Sequence, residues 1–456
     1  MEDQKTKMSQ EECQRARTAR DARFDGKFYV AVKTTKIFCR PICPANLPLE
    51  KNVEYFHDKA QALQSGYRPC LRCRPDSAPS SWAWKGTEVS FQRAVTMIEQ
   101  GDLQNTTLVL LAERLGITDR YLRQLFDKYM GMSPKQYAQY HQLMFAKQLL
   151  HNSSMTITDI AFASGFNSVR RFNDAFKTIL RLSPSQIRKT HTSEHKTNQI
   201  QLAFQTPLNW QHMLGFYRLR AIHTVELVEE NSYQRSFTLN GTSGWFKASL
   251  ATENALTIEF DIADPSQLKA LVVRLRRMFD LDANVLDIEA QLSKLAPDLI
   301  VESGIRIPGL WNEWEAGVRA ILGQQVSVKA AINQLNVLVD QCGEQVGGKT
   351  VFPSPVTVSE MDLSFLRMPQ SRKDTLARFA RFMLENPQAP ASDWIALKGI
   401  GPWTINYAQM RGSSQPDLFL DNDLVVKKAI TKWPELNKSD VAPWGSYATL
   451  HCWNNS

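Results

Sequence analysis

Apolar positions set the first divisions of this chain. From Val89 they recur every three to four residues, the spacing of one buried helix face. Leu108 to Leu115 predicts an amphipathic helix that Gly116 stops. Ile117 and Thr118 make a short turn, and Asp119, acidic and close to the cap, opens a second helix that reaches Tyr129. Two helices joined by a short turn, with Arg120, Arg123 and Gln124 left for solvent, predict a helix-turn-helix. A second copy follows. Ile157 to Phe166 supplies its supporting helix and turn, and Ser168 to Lys177 its candidate recognition helix, bearing Arg170 and Arg171. The copies end alike, at Gly131-Met-Ser-Pro134 and near Leu182-Ser-Pro184. One copy reads equally well as a plain helical hairpin; two in register point to DNA.

Beyond the apolar-free stretch His191 to Asn198 the pattern changes to strands. They are expected at Gln199–Gln205, Ala221–Val228, Tyr233–Leu239, Trp245–Leu250 and Leu256–Asp261. A helix follows over about Pro265 to Phe279, and from about Asp287 the chain is mostly helical. Ser77 to Gly86, rich in Ser, Ala and Pro, and the stretch from His191 to Asn198 read as linkers. These breaks predict a multidomain α+β protein. A small four-cysteine domain occupies 1–85 and an all-α double helix-turn-helix domain 86–192. An α/β domain over 199–286 precedes a helical domain over 287–456.

Composition changes this picture little. The 456 residues, 43% hydrophobic, suffice for several cores, but no run of about 20 apolar residues offers a membrane span. The polar, mixed-charge segment Met1 to Arg20 has no apolar signal region, so a cytoplasmic protein with no membrane partner is expected. The net charge of +8 is unevenly spread. Positions 1–198 carry 30 Lys and Arg against 19 Asp and Glu, and positions 199–456 carry 24 against 27. A basic first half predicts a polyanionic partner and salt-sensitive affinity.

Cysteine spacing adds chemistry. Four of the seven cysteines, Cys39, Cys43, Cys70 and Cys73, form a C-x3-C…C-x2-C pattern. Each short pair closes a loop that can aim two thiolates at one ion, as a tetrahedral Zn2+ site requires. Cys13, Cys342 and Cys452 stand apart from it.

The flanks of these cysteines are Thr34-Thr-Lys-Ile-Phe-Cys-Arg-Pro-Ile-Cys43 and Gly66-Tyr-Arg-Pro-Cys-Leu-Arg-Cys-Arg-Pro75. They resemble the N-terminal domain of the bacterial Ada methyl-transfer regulators. The paired helix-turn-helix over about 87–190 resembles the AraC-type regulator domain. The first resemblance implies that Cys39 accepts a methyl group from a DNA methylphosphotriester while Cys43, Cys70 and Cys73 hold the zinc. A four-thiolate zinc site carries a formal charge of −2, and a thioether changes it to −1. One unit charge at about 5–10 Å and an effective dielectric near 20 is worth about 2–3 kcal/mol before screening. Methylation would thereby tighten promoter binding, with RNA polymerase as the implied partner. Two helix-turn-helix units can reach successive major-groove faces about 34 Å apart, so a monomer is expected.

Near the C-terminus, Leu397-Lys-Gly-Ile-Gly-Pro-Trp-Thr404 lies between helical stretches. Gly399 and Gly401 let backbone N–H groups turn toward a phosphate at a helix start. Alone this is an ordinary tight turn. Followed by Asp417-Leu-Phe-Leu-Asp-Asn-Asp423, it resembles the helix-hairpin-helix DNA glycosylases. Further segments narrow the resemblance to AlkA-type 3-methyladenine DNA glycosylases from about 199 onward. They are Asn209 to Phe216, Arg319 to Val328, Trp403 to Tyr407 and Trp444 to Trp453. The chain as a whole resembles an Ada–AlkA fusion.

That resemblance implies excision of a flipped N-alkylated purine, with Asp423 as the catalytic carboxylate and Trp403, Tyr407, Trp453 and Phe216 as π-faces. It adds a monovalent cation at the hairpin. Relatives that also cut the strand carry a lysine where Trp403 stands, so base excision without lyase activity is expected; Lys398 lies five residues earlier. Gln325 occupies the place of a leucine that wedges into DNA, and Asn422 that of a second aspartate. No Pro-Cys-His-Arg acceptor motif occurs, so neither Cys342 nor Cys452 is assigned O6-alkylguanine chemistry. The opposed expectation is a methyl-responsive regulator whose second half has lost catalysis. The helix holding Trp453, close to the end of the sequence, is expected to be poorly supported.

Overall fold

A computed structural model describes residues 8–20, 24–25, 27–57, 61–62, 65–70, 72–73, 75, 87–99, 101–189, 198–346, 348–387 and 389–455. The linker expected at Ser77 to Gly86 lies outside these residues, as does 191–197 of the second; Asn198 opens a strand. The chain divides into two compact units, Met1–Lys147 with Ser164–Ile187, and Gln148–Ala163 with Arg188–Ser456.

In the first unit, α1 (Gln10–Ala19) begins with a capping box in which Ser9 and Glu12 satisfy each other's backbone N–H groups. A four-stranded sheet follows, in the order β3 (Val53–Phe56), β1 (Tyr29–Val32), β2 (Ile37–Cys39), β4 (Arg68–Pro69). Strand β1 pairs antiparallel with β2, placing Val30 opposite Cys39, whereas β2 and β4 are parallel, placing Phe38 opposite Pro69. The helical part opens with α2 (Thr87–Glu99), α3 (Asp102–Asn105) and α4 (Leu108–Arg114). It continues with α5 (Asp119–Met130) and α6 (Pro134–Asn152), the latter reaching into the second unit. Thr107 and Thr118 accept backbone N–H bonds at the starts of α4 and α5. Helix α5 buries Leu122, Leu125 and Phe126 in a core with Phe91 and Leu111.

Helix α7 (Ile157–Ala163) belongs to the second unit and α8 (Val169–Ala175) to the first. The expected single helix to Lys177 instead widens into a π turn over Phe176–Leu180. Phe172 and Phe176 stay buried on its inner side, ring centroids 4.7 Å apart. It ends at Arg181 with φ 57°, where the first copy ends at Gly131 with φ 66°. Helix α9 (Pro184–Lys189) follows.

The second unit contains a five-stranded antiparallel sheet in the order β5 (Asn198–Ala203), β9 (Ala255–Ile262), β8 (Thr242–Thr252), β7 (Ser232–Leu239), β6 (Glu226–Val228). Strand β6 is shorter than expected because the chain before it turns tightly: the Ile222 N–H donates to the Glu226 carboxylate and the Val225 N–H to the Ile222 carbonyl. Helix α10 (Trp210–Arg218) lies between β5 and β6, where strand spacing gave no sign of it. Helices α11 (Leu268–Met278), α12 (Val285–Leu295), α13 (Glu313–Leu322) and α14 (Val328–Cys342) follow. A hairpin of β10 (Glu344–Val346) and β11 (Lys349–Val351) interrupts the helical stretch. The remaining helices are α15 (Pro355–Glu360), α16 (Gln370–Glu385), α17 (Pro402–Ser413), α18 (Leu424–Lys432), α19 (Lys438–Val441) and α20 (Gly445–Asn454).

A buried ionic network joins the sheet to α13. Arg319 donates to Glu226 at 2.7 Å and to Glu315 at 2.8 Å, Arg235 donates to Glu315 at 2.9 Å, and the Tyr233 hydroxyl donates to Glu226 at 2.6 Å. Charges this deep are tolerable only because each has partners. The expectation of a poorly supported last helix is corrected. Residues 445–452 of α20 are buried, packed with Val285, Ile288 and Leu292 of α12. Among the described residues no helix is long and apolar enough to cross a membrane.

Candidate functional sites

Parallel pairing of β2 and β4 explains the first site. The Cys70 N–H continues the ladder to the Phe38 carbonyl at 2.9 Å, so Cys39 and Cys70 leave adjacent strand ends side by side. A tight turn, closed by the Cys43 N–H to the Arg40 carbonyl, returns Cys43 to the same point. With Cys73, the four sulfurs lie within 4.8 Å of one another. Four ligands about 2.3 Å from one ion stand about 3.8 Å apart, so this donor set fits tetrahedral zinc. The thiols could not all ionise without a cation: hydrogen bonding with Cys43 pushes Cys39 up, and hydrogen bonding with Cys39 pulls Cys70 down.

The four sulfurs are not equivalent. The Arg40 N–H donates to Cys73 Sγ at 3.4 Å. Cys39 and Cys70 are half-buried, whereas Cys43 and Cys73 are buried. A hydrogen bond withdraws electron density from a thiolate, so the Arg40 N–H makes Cys73 a weaker nucleophile. Beneath the cluster, the buried Arg40 guanidinium is paired with Asp25 and donates to the Cys73 carbonyl at 3.3 Å.

Arg120, Arg123 and Gln124 are exposed on α5, and Arg170 and Arg171 on α8, opposite the buried faces of those helices. Arg123 is paired with Asp119 at 2.7 Å, one turn away.

The other site gathers Asp423, Trp403, Tyr407, Trp453 and Phe216. Asp423 is the N-cap of α18, its Oδ1 accepting the Val425 N–H at 2.9 Å. The same oxygen accepts the indole N–H of Trp453 at 3.2 Å, and Oδ2 that of Trp403 at 3.4 Å. Backbone and indole donors therefore fix the carboxylate between two aromatic walls. Trp403 stacks on Tyr407 with centroids 5.2 Å apart, and Trp453 on Phe216 at 6.0 Å. Phe216 is largely buried, with the guanidinium carbons of Arg220 and Arg411 at 3.7 and 4.6 Å from its centroid. It backs the Trp453 wall more than it offers a face of its own.

Arg411 and Arg220 were not singled out in the sequence. Arg411 donates to the Tyr407 hydroxyl at 3.0 Å and, through Nε, to the Pro308 carbonyl. Burial, ahead of its charged neighbours, lowers Arg220 to about 10. Trp403, Tyr407 and Arg411 recur every four residues along α17, a spacing that could have flagged Arg411.

Gln325 lies outside this cage, exposed on the turn between α13 and α14 with φ 55°. Gly399 (φ 98°) and Gly401 lie on the hairpin that leads into α17. A Cβ at Gly399 would meet Thr375 Oγ1 at 2.0 Å, so only glycine fits there. Asn422 and Lys398 are exposed, whereas Cys342 and Cys452 are buried.

A four-cysteine cluster and two helix-turn-helix units, joined in one chain to a carboxylate held by indoles, define a DNA-directed sensor and repair protein. Comparison with known families agrees with each part. Residues 12–76 match the metal binding domain of Ada, 111–190 a helix-turn-helix domain and 199–312 the AlkA N-terminal domain. The chain is 32% identical to a Mycobacterium tuberculosis protein named "Probable bifunctional transcriptional activator/DNA repair enzyme AlkA", over 97% of this chain and 96% of that one. It is 31% identical to the Escherichia coli DNA-3-methyladenine glycosylase 2, over 55% of this chain and 95% of that one. It is also 33% identical to the Escherichia coli bifunctional transcriptional activator/DNA repair enzyme Ada, over 35% of this chain and 44% of that one. The chain belongs to the family of bifunctional transcriptional activator/DNA repair enzymes that join Ada-type and AlkA-type modules.

Proposed function

We propose that the protein senses alkylated DNA by one irreversible methyl transfer and repairs it by repeated base excision. The gathering of four sulfurs within 4.8 Å of one another supports the first activity. Cys39, half-buried at the end of β2, attacks the methyl carbon of a phosphotriester. An S–CH3 bond forms, the CH3–O bond breaks, and the phosphate leaves as an ordinary diester anion. Cys39, Cys43, Cys70 and Cys73 would hold the zinc, which would supply the charge that keeps their sulfurs deprotonated near neutral pH. A thioether carbon is a poor electrophile, so the domain acts once. The cluster's charge falls by one unit, repulsion of DNA phosphate weakens, and α5 and α8 hold the promoter more tightly.

The observation that carries the second activity is the Asp423 carboxylate held by two indole N–H groups within an aromatic cage. A flipped, cationic N-alkylpurine such as 3-methyladenine or 7-methylguanine lies against Trp403, Tyr407 and Trp453. Its C1′–N bond breaks with the electron pair passing to the base, which leaves neutral. Asp423 stabilises the sugar cation and orients the water that adds to it. Trp403 stands where strand-cutting relatives carry a lysine, and Lys398 lies five residues earlier, so no Schiff base forms and the strand is left intact.

Gly399 and Gly401 hold a DNA phosphate through N–H groups that donate to no protein group among the described residues. A monovalent cation at the hairpin, RNA polymerase as partner, a monomeric state and a cytoplasmic location complete the reading. Purified protein incubated with methylated duplex DNA should release free 3-methyladenine; a folded, zinc-loaded protein that releases none would leave a regulator alone.

A further inference from the structure

The residue before the expected wedge carries an unusual load. Gln324 is half-buried on the turn between α13 and α14, and its carboxamide nitrogen donates to two groups. One is the Gly399 carbonyl at 3.0 Å, the other the Thr404 hydroxyl at 3.1 Å. These acceptors bracket the glycine hairpin, one within it and one in the first turn of α17. From another side Arg378 of α16 donates to the Lys398 carbonyl at 2.8 Å. Two successive hairpin carbonyls are thus turned inward, one onto a side chain of the α13–α14 turn and one onto a side chain of α16.

Gln325, next along the turn, is exposed and left-handed at φ 55°, a conformation that residues with a Cβ avoid. Such backbone persists where its surroundings over-determine it. Here the turn is fixed on one side by the Gly323 N–H to the Arg319 carbonyl and on the other by Gln324 on the hairpin.

We propose that Gln324 is a positioning residue for base excision, locking the Gln325 wedge in register with the hairpin that grips the DNA backbone. The inference rests on the glycosylase reading above and on Gln325 as wedge. Flipping requires that the duplex be held at its phosphates while a side chain fills the vacated stack. An error of about 1 Å between those two contacts is enough to cost a large factor in rate. Gln324 spans that gap directly. It touches neither the base nor Asp423, so its removal should affect flipping more than initial binding.

The test uses the full-length, zinc-loaded protein and a duplex with one 7-methylguanine beside a 2-aminopurine reporter. Parent, Gln324→Leu, Gln324→Glu, Gln325→Ala and Gln324→Leu/Gln325→Ala proteins are compared. Gln324→Leu and Gln324→Glu, neither able to donate to the hairpin, should each slow single-turnover release about tenfold to thirtyfold. The fluorescence rise on flipping should shrink in parallel, while DNA affinity stays within about threefold and the melting temperature is unchanged. Gln325→Ala should cost rate in the parent and little more in the Gln324→Leu background, because an unlocked wedge has little left to lose.

Parent-like release by Gln324→Leu, or fully additive effects of the two substitutions, would overturn the inference while leaving the glycosylase reading intact. A rate loss matched by losses of melting temperature and affinity would also overturn it, reducing Gln324 to a structural residue. No release by the parent would instead sink the glycosylase reading, and the inference with it.

Discussion

The indole N–H of Trp453 donates at 3.2 Å to the same Asp423 oxygen that caps α18. One atom thus ends a helix and faces the cage. Asparagine also caps helices well, so Asp423→Asn should fold normally. Without the carboxylate charge, release of 3-methyladenine should fall by about a hundredfold or more, measured by chromatography of freed base. Trp453→Phe keeps an aromatic face, though a smaller one, and removes one donor, and about a tenfold loss is expected.

Cys39→Ser removes the favoured nucleophile and leaves three thiolates. Mass spectrometry after incubation with methylphosphotriester DNA should show one added methyl group on the parent, located at Cys39, and none on the variant. Methylated parent should bind promoter DNA about tenfold or more tightly at low salt, with the gain shrinking as salt rises. Stripping the metal with a chelator should unfold the β1–β4 sheet, visible as loss of amide protection over 27–57.

The network around Glu226 ties two parts of the second unit together. Burial alone would raise the Glu226 carboxyl, but Arg319 and Arg235 bring it below the ordinary carboxylate value of 4.5. A lowered carboxyl contributes stability above its unfolded value, lost as pH falls through its folded value. The second unit should therefore weaken below about pH 4.5, and Glu226→Gln should already cost about 3–5 kcal/mol at neutral pH in urea unfolding.

His451 is fully buried on α20, with neither ring nitrogen bonded to a protein group among the described residues. Burial, then the neighbouring His212, lowers it from 6.5 to about 4. The folded state thus holds it neutral, and the unfolded chain takes up the proton first as pH falls. Its contribution is complete above pH 6.5 and disappears between 6.5 and about 4. The full effect is about 3 kcal/mol. His451→Leu should flatten the stability profile across that interval, as thermal melts from pH 7 to pH 4 would reveal.

Gly399→Ala places a Cβ where Thr375 Oγ1 stands and puts it on backbone at φ 98°. The hairpin must shift to accept it. Glycosylase-dependent binding of undamaged duplex should weaken about tenfold, and Thr375→Ser should recover none of it because the hydroxyl remains.

Sequence alone determined the features that depend on local spacing and residue type. The paired cysteines gave a four-thiolate set, periodicity placed α4, α5 and α7, and alternation placed the central strands within a few residues. Chemistry carried by side chains next to one another in sequence is legible in this way, because a short loop or a single helix turn leaves them few places to point. Relations across long separations were not. Nothing near Cys39 says which sulfurs stay half-buried or that Cys73 accepts the Arg40 N–H, for that follows from strand pairing and the path of the Arg40 turn. Gln324 and Gly399 are 75 residues apart, and Arg411 reaches Phe216 from a different helix. The burial of α20 is of the same kind: its residues gain support from α12 only once both are packed. Sequence specified which groups could do the chemistry; tertiary packing decided their distances, their exposure and therefore which of them stand in position to act.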